Sequence, residues 1–270
     1  MPTELFPADV TMTPAARRLH DAADVVTPGL EAPLDLTVFI SCYNEQQYIV
    51  NTIETVRTVL DEIGTISYEI IVVDDCSKDN SSEAVKGYIA AHPEMSIVLR
   101  TNKRNRGLAQ NYLDVAFVGK GKYYRLSCGD DAEPKETMLA VFGEVGQADM
   151  IIPYYVSSDG KSAYRQFISR AYSSLVNLIS GFRLHYYNGL AVHLRYNVMR
   201  WHPNTRGFGF QADIICMLLE QGFSYKEVAV KTIERRDGRT NALNFKNMLS
   251  VAHTLIDLMF RRIANRVYRR

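Results

Sequence analysis

Two pairs of adjacent carboxylates, Asp74-Asp75 in "YEIIVVDDCSKDNS" and Asp130-Asp131 in "LSCGDDAEP", each follow an apolar run of strand character. Like charges side by side repel, so such a pair is either solvated at a strand end or neutralised by something brought to it. A hard divalent cation can do this. Mg2+ or Mn2+ is held through one or two carboxylates and keeps waters and phosphate oxygens in its other positions. A metal bound in this way would clamp a diphosphate. Gly-Asp-Asp alone also suits a plain turn before a helix begun by Pro134, so the specificity comes from the two pairs together.

The elements that must carry these pairs are legible from periodicity. "LTVFIS" reads as a strand, and Ile49, Ile53, Val56, Leu60 and Ile63 then fall at helical spacing. "YEIIVVD", "SSEAVKGYIAA", "SIVLR", "GLAQNYLDVAFV" and "YYRLS" continue the alternation, followed by "MIIPYY", a helix around Arg165 to Ser180, "LAVHL" and "GFGFQADIICMLLEQG". Strands alternating with helices predict an α/β fold, a mainly parallel sheet flanked by helices with right-handed crossovers. Ligands of such sheets bind at the carboxyl ends of strands. Tyr43, Glu45, Asp74, Asp75, Asp130 and Asp131 all fall there. Residues 1–34 hold five of the nine prolines and read as an extension. Residues 35–240 read as one catalytic domain and 241–270 as a basic amphipathic helix, with Met248, Leu249, Ala252, Ile256, Met259 and Ile263 on one face.

Composition narrows the function classes. The chain has 270 residues, 47% of them hydrophobic, and a net charge of +1, so no global field recruits nucleic acid. Cys42, Cys76, Cys128 and Cys216 form no C-x-x-C pair, which predicts reduced thiols in a cytoplasmic setting rather than disulfides or a zinc site. The six histidines show no metal-ligand spacing. The first strand-to-helix turn, "SCYNEQQY", has no glycine, which excludes a dinucleotide fingerprint and a P-loop alike. No basic n-region precedes an apolar run, and no apolar stretch reaches the length of a membrane span.

In order along the chain, "FISCYNEQQYIVNTIETV", "YEIIVVDDCSKDNS", "NKRNRGLAQNYLDVA" and "YYRLSCGDDAEP" resemble the family 2 inverting glycosyltransferases of GT-A fold. The resemblance implies a nucleoside diphosphate sugar donor, with Ser41, Tyr43, Glu45, Asp75, Gly107 and Asp130 binding it and Asp131 with Asp130 holding Mg2+ or Mn2+. Many relatives carry Asp-x-Asp where this chain reads Cys128-Gly129-Asp130-Asp131, so the roles of the two acids are interchangeable at this stage.

The second half, "RQFISRAYSSLVNLISGFRL", "GFGFQADIICMLLEQGFSYKEVAV" and "ERRDGRTN", is similar to the polyprenyl-phosphate sugar transferases of the dolichyl-phosphate mannose synthase type. That similarity implies a lipid-phosphate acceptor met by Arg165, Arg170 and Arg235, whose planar forks match phosphate oxygens. It makes Asp213 the candidate catalytic base or acceptor-orienting acid. Gly238-Arg239-Thr240-Asn241 and Tyr187-Asn188-Gly189-Leu190 depart from those relatives, which keeps a glycan or small hydroxyl acceptor in play. Outside sugar transfer, the alternatives are a sugar-phosphate nucleotidyltransferase and an inactive nucleotide-sugar binding module. The tail, with five arginines in "RRIANRVYRR", predicts peripheral attachment to a membrane surface, against packing on its own domain or in a homo-oligomer.

Overall fold

The computed structural model describes residues 33–159, 163–202, 209–233 and 245–268. The extension predicted over 1–34 therefore lies almost wholly outside the described residues.

Strands β1 (Leu34–Cys42), β2 (Tyr68–Asp74), β3 (Ile97–Thr101), β4 (Gly121–Cys128), β5 (Met150–Asp159), β6 (Val192–Leu194) and β7 (Tyr225–Ile233) form one sheet, ordered β3-β2-β1-β4-β6-β5-β7. Helices are α1 (Ile49–Ile63), α2 (Ser81–Ala91), α3 (Leu108–Val118), α4 (Lys135–Phe142), α5 (Ala163–Ser180), α6 (Arg195–Met199), α7 (Phe210–Gln221) and α8 (Phe245–Tyr268). β1 pairs in parallel with β2 and β4, and β2 with β3, as the alternation of strands and helices requires.

Continuous apolar strands in the middle of the sheet are buried on both faces. Alternate residues therefore feed two cores. Val38, Ile40, Ile70 and Val72 meet Ile53, Val56, Val85 and Met138 from α1, α2 and α4. Phe39, Ile71, Val73 and Leu126 meet Tyr112, Val176, Ile215 and Leu258 from α3, α5, α7 and α8.

The sheet is mainly parallel, as periodicity predicts, with one antiparallel strand that periodicity does not single out. β6 has three residues and runs antiparallel to both β4 and β5. β7, not assigned as a strand from the sequence, pairs in parallel with β5 along the outer edge. Among the described residues no helix is long and apolar enough to cross a membrane.

Helix α8 packs on the domain with one face and leaves the other bare. Thr254 and Leu258 are buried, and Leu255 packs against the same core. The stripe read from the sequence points the other way: Ala252, Ile256, Met259 and Ile263 are exposed, and Phe260 beside them is 61% exposed.

Candidate functional site

The parallel register sets Cys42 beside Asp74 and Ser41 beside Cys128, so the turns after β1, β2 and β4 lie side by side at one edge of the sheet. Three non-glycine residues with left-handed backbone sit in these turns: Asn44 (φ +58°), Cys76 (φ +68°) and Asp131 (φ +51°). Such conformations cost free energy and concentrate at functional sites.

The first two turns are stitched together. The backbone N–H of Asn44 donates to Ser77 Oγ at 2.9 Å and that of Glu45 to Ser81 Oγ at 2.9 Å, while the N–H of Lys78 donates to Asn44 Oδ1 at 2.8 Å. Gln46 and Asp79 close the same seam through the bond from Gln46 N–H to Asp79 Oδ2 at 3.2 Å. Tyr43 is left exposed above it, and the Glu45 carbonyl starts α1 by accepting from Ile49 N–H.

Asp75 is 6% exposed, and its carboxylate organises the turn after β3. Oδ1 accepts from Asn102 Nδ2 at 2.8 Å and from the Arg106 N–H at 2.8 Å, and Oδ2 accepts from the Gly107 N–H at 2.9 Å. Gly107 has φ +81° and ψ 157°, a region open in practice to glycine alone, and from there it caps α3. Burial raises the Asp75 pKa, but the donors Arg106 N–H, Asn102, Asn111 and Gly107 N–H outweigh it and hold the carboxyl below the usual carboxylate range.

The acidic turn after β4 is fixed by its backbone. Gly129 N–H donates to Ser41 O at 2.9 Å, and a Cβ at this position would lie 2.6 Å from that same oxygen, so the close approach needs glycine. Asp131 N–H donates to Thr52 Oγ1 of α1 at 3.0 Å. Both acids are part-exposed. Among the described residues no group of three His, Cys, Asp or Glu side chains converges on one point. Two adjacent carboxylates fit Mg2+ or Mn2+, which take their remaining ligands from water and phosphate oxygens.

The second group of candidates is separate. Asp213 lies in the first turn of α7, 9% exposed, with Oδ2 accepting from Trp201 Nε1 at 2.8 Å and Oδ1 paired with Arg261 of α8 at 2.8 Å. Arg261 also reaches Glu220 at 2.9 Å. Arg170 is exposed on α5; Arg165 lies on the same helix, its side chain outside the described residues, as is all of Arg235. Asn102, Thr52, Ser77 and Arg261 escaped the sequence reading. An Asn directly before a basic turn and a Thr inside an apolar helix carry no periodic signal.

With this geometry in place, similarity to known proteins decides the class. Residues 37–200 match the family described as "Glycosyl transferase family 2". The chain belongs to that family. Over 107 residues it is 33% identical to a dolichyl-phosphate beta-glucosyltransferase of Dictyostelium discoideum, covering 37% of this chain and 33% of the relative. Over 126 residues it is 26% identical to the glycosyltransferase GlyG of Streptococcus pneumoniae, covering 46% of this chain and 40% of the relative. The match thus spans about a third to two fifths of these relatives' length.

Among solved structures, glucosyl-3-phosphoglycerate synthase of Mycobacterium tuberculosis, held with Mn2+, UDP-glucose and phosphoglyceric acid, superposes at TM-score 0.63 with 15% identity over 86% of this chain and 82% of that one. The mannosyltransferase PcManGT of Pyrobaculum calidifontis, held with GDP-Man and Mn2+, gives TM-score 0.59 with 17% identity over 90% and 70%. The fold of this family 2 chain is therefore GT-A.

Proposed function

We propose that this glycosyltransferase moves one sugar, with inversion, from a nucleoside diphosphate sugar to a lipid phosphate at a membrane surface. An acceptor oxygen attacks the anomeric carbon from the face opposite the diphosphate, and the bond from that carbon to the diphosphate oxygen breaks. Asp131, with Asp130, would hold Mg2+ or Mn2+, which supplies charge neutralisation for the departing diphosphate. Ser41, Tyr43, Glu45, Asp75 and Gly107 would bind the base and ribose, with the Asp75 contacts shaping the turn that closes over them. Arg165, Arg170 and Arg235 would meet the acceptor phosphate. Residues 35–240 would be the catalytic unit and 241–270 its membrane-facing helix.

The observation that carries the lipid acceptor is the outward stripe of α8. Ile256, Met259, Phe260, Ile263 and Val267 recur at i, i+3, i+4, i+7 and i+11 and are all exposed. Of the five arginines in the last ten residues Arg266 is exposed beside this stripe, Arg261 and Arg262 are engaged with the domain, and Arg269 and Arg270 lie outside the described residues. A phosphate acceptor also fits Asp213, because an ionised phosphate needs no base, and the carboxylate is already paired with Arg261 and Trp201.

The test is sedimentation with vesicles. The protein is expected to bind vesicles rich in anionic phospholipid and to be released by salt, each basic residue near the surface contributing about 1 kcal/mol. Removing residues 245–270 would also strip Leu258 and Arg261 from the core, so the informative variant is Phe260→Asp with Ile263→Asp, both outward. It is expected to lose vesicle binding and keep donor hydrolysis. Indifference of the full chain to anionic vesicles, or a stripe that instead drives concentration-dependent dimers, removes the support for a lipid acceptor.

A hydroxyl acceptor is the second reading, favoured by the superposition on the phosphoglyceric acid complex. Under it Asp213 takes the proton, which requires the Arg261 pair to open, and Asp213→Asn would abolish transfer but not donor binding. A panel of UDP- and GDP-sugars with Mn2+, read by thermal shift and slow hydrolysis, identifies the donor. Turnover of none would leave an inactive binding module. Release of a nucleotide from a nucleoside triphosphate and a sugar phosphate would mark a nucleotidyltransferase.

A further inference from the structure

Arg125 lies in the middle of β4, wholly buried, between Val38 of β1 and Val192 of β6. A guanidinium there forfeits its hydration, and an apolar side chain of similar volume would often be as stable or more so. Its partners account for the placement. One terminal nitrogen pairs with Glu133 Oε1, Nε donates to the Leu190 carbonyl at 3.1 Å, and the guanidinium stacks over the Phe142 ring at 4.7 Å. Glu133 stands two residues after Asp131 and directly before Pro134, where α4 begins.

The acidic turn is thus tied to its surroundings through Gly129 on β1, Asp131 on α1 and Glu133 on β4, the last an ion pair. Through Leu190 the same guanidinium also holds the segment between α5 and β6, which enters the sheet beside the turn. The network is not complete. Arg125 Nη1, Glu133 Oε2 and Ser127 Oγ are buried without hydrogen-bond partners among the described residues. A partly satisfied buried pair is a poor source of stability, so its value lies in fixing geometry.

We infer that Arg125 and Glu133 are positioning residues for metal-dependent diphosphate binding, holding the backbone of Asp130-Asp131 at the spacing a divalent cation needs. The inference rests on the assignment of the metal to Asp131. Partners that orient metal ligands typically change metal affinity 10–100-fold when removed. A pair that served only to hold the core together would change stability and leave metal affinity alone.

The experiment measures Mn2+ binding by calorimetry in the presence of UDP and, in parallel, GDP, alongside the melting temperature. Glu133→Gln keeps the shape and a hydrogen-bonding group but removes the charge. It is expected to weaken Mn2+ binding about tenfold. The double variant Arg125→Met with Glu133→Met replaces the pair by apolar groups. It is expected to melt near the wild-type temperature and still to lose Mn2+ affinity about tenfold or more. If either variant folds and binds Mn2+ with the nucleotide as tightly as wild type, the pair is structural and the inference fails. Asp131→Asn run beside them separates the two levels: Mn2+ binding that survives in Asp131→Asn overturns the metal assignment itself, whereas binding lost there but intact in Glu133→Gln overturns only the role of the pair.

Discussion

Asp131→Asn is expected to lower sugar transfer by about 10^3-fold, equivalent to about 4 kcal/mol of transition-state stabilisation, and to abolish metal-dependent binding of the nucleoside diphosphate. Asparagine is the right replacement because Asp131 has φ +51°, a conformation asparagine tolerates and alanine does not. The backbone N–H that donates to Thr52 Oγ1 is kept, so the turn persists and only the charge is lost. Melting temperature reports on the turn, and calorimetry with Mn2+ and the diphosphate reports on the site. A folded Asp131→Asn enzyme with undiminished transfer, or full wild-type activity in excess chelator, would remove the metal from this turn.

Asp75→Ala should be the most damaging single truncation on the donor side. It leaves Asn102 Nδ2 and the N–H groups of Arg106 and Gly107 without their acceptor, and buried donors cost about 1–3 kcal/mol each when unpaired. Part of the turn regains water, so the net loss expected in urea unfolding is about 3 kcal/mol.

The effect has a sign in pH. Because the folded carboxyl titrates below its unfolded value, its stabilisation is complete above the ordinary carboxylate pKa of about 4 and is lost as pH falls through the depressed folded value. The stability gap between wild type and Asp75→Ala should therefore narrow in acid. Affinity for the nucleoside diphosphate should fall with the turn. If the folded variant binds it unchanged, Asp75 is architectural and takes no part in donor recognition.

These two residues were legible in the sequence because strand periodicity alone places them. A run such as "YEIIVVD" must end at a sheet edge, and in a parallel sheet that edge is where ligands bind. What was not legible depends on contacts between distant positions. Arg261 meets Asp213 across 48 residues, and no spacing rule links them. β6 shows as "LAVHL", but three paired residues carry no sign of its antiparallel direction, and β7 lies in a stretch whose mixture of charged and apolar residues gives no strand signal. Helix α8 was legible as amphipathic but not in its orientation. Its inner face combines Leu258 in the core with Arg261 on two carboxylates and Arg262 on the Leu178 and Ile179 carbonyls, while its outer face presents hydrocarbon.

The brevity of β6 bears on the order in which the chain folds. Beyond the pairing of Tyr123 to Arg125 with β6, β4 has no neighbour on that side of the sheet among the described residues, and β5 leaves β6 after Ile151. The seven-stranded sheet thus has two halves joined by a three-residue strand. The first, β3-β2-β1-β4, draws all its strands from residues 34–128, with crossovers of ordinary length. The second joins β5 to β7 by closing a loop in which Met150 meets Tyr225, a costlier closure that low contact order does not help. The first half can therefore nucleate alone while β6 waits for both halves. Native-state hydrogen exchange would register this as two opening energies, the lower one shared by β5, β6 and β7.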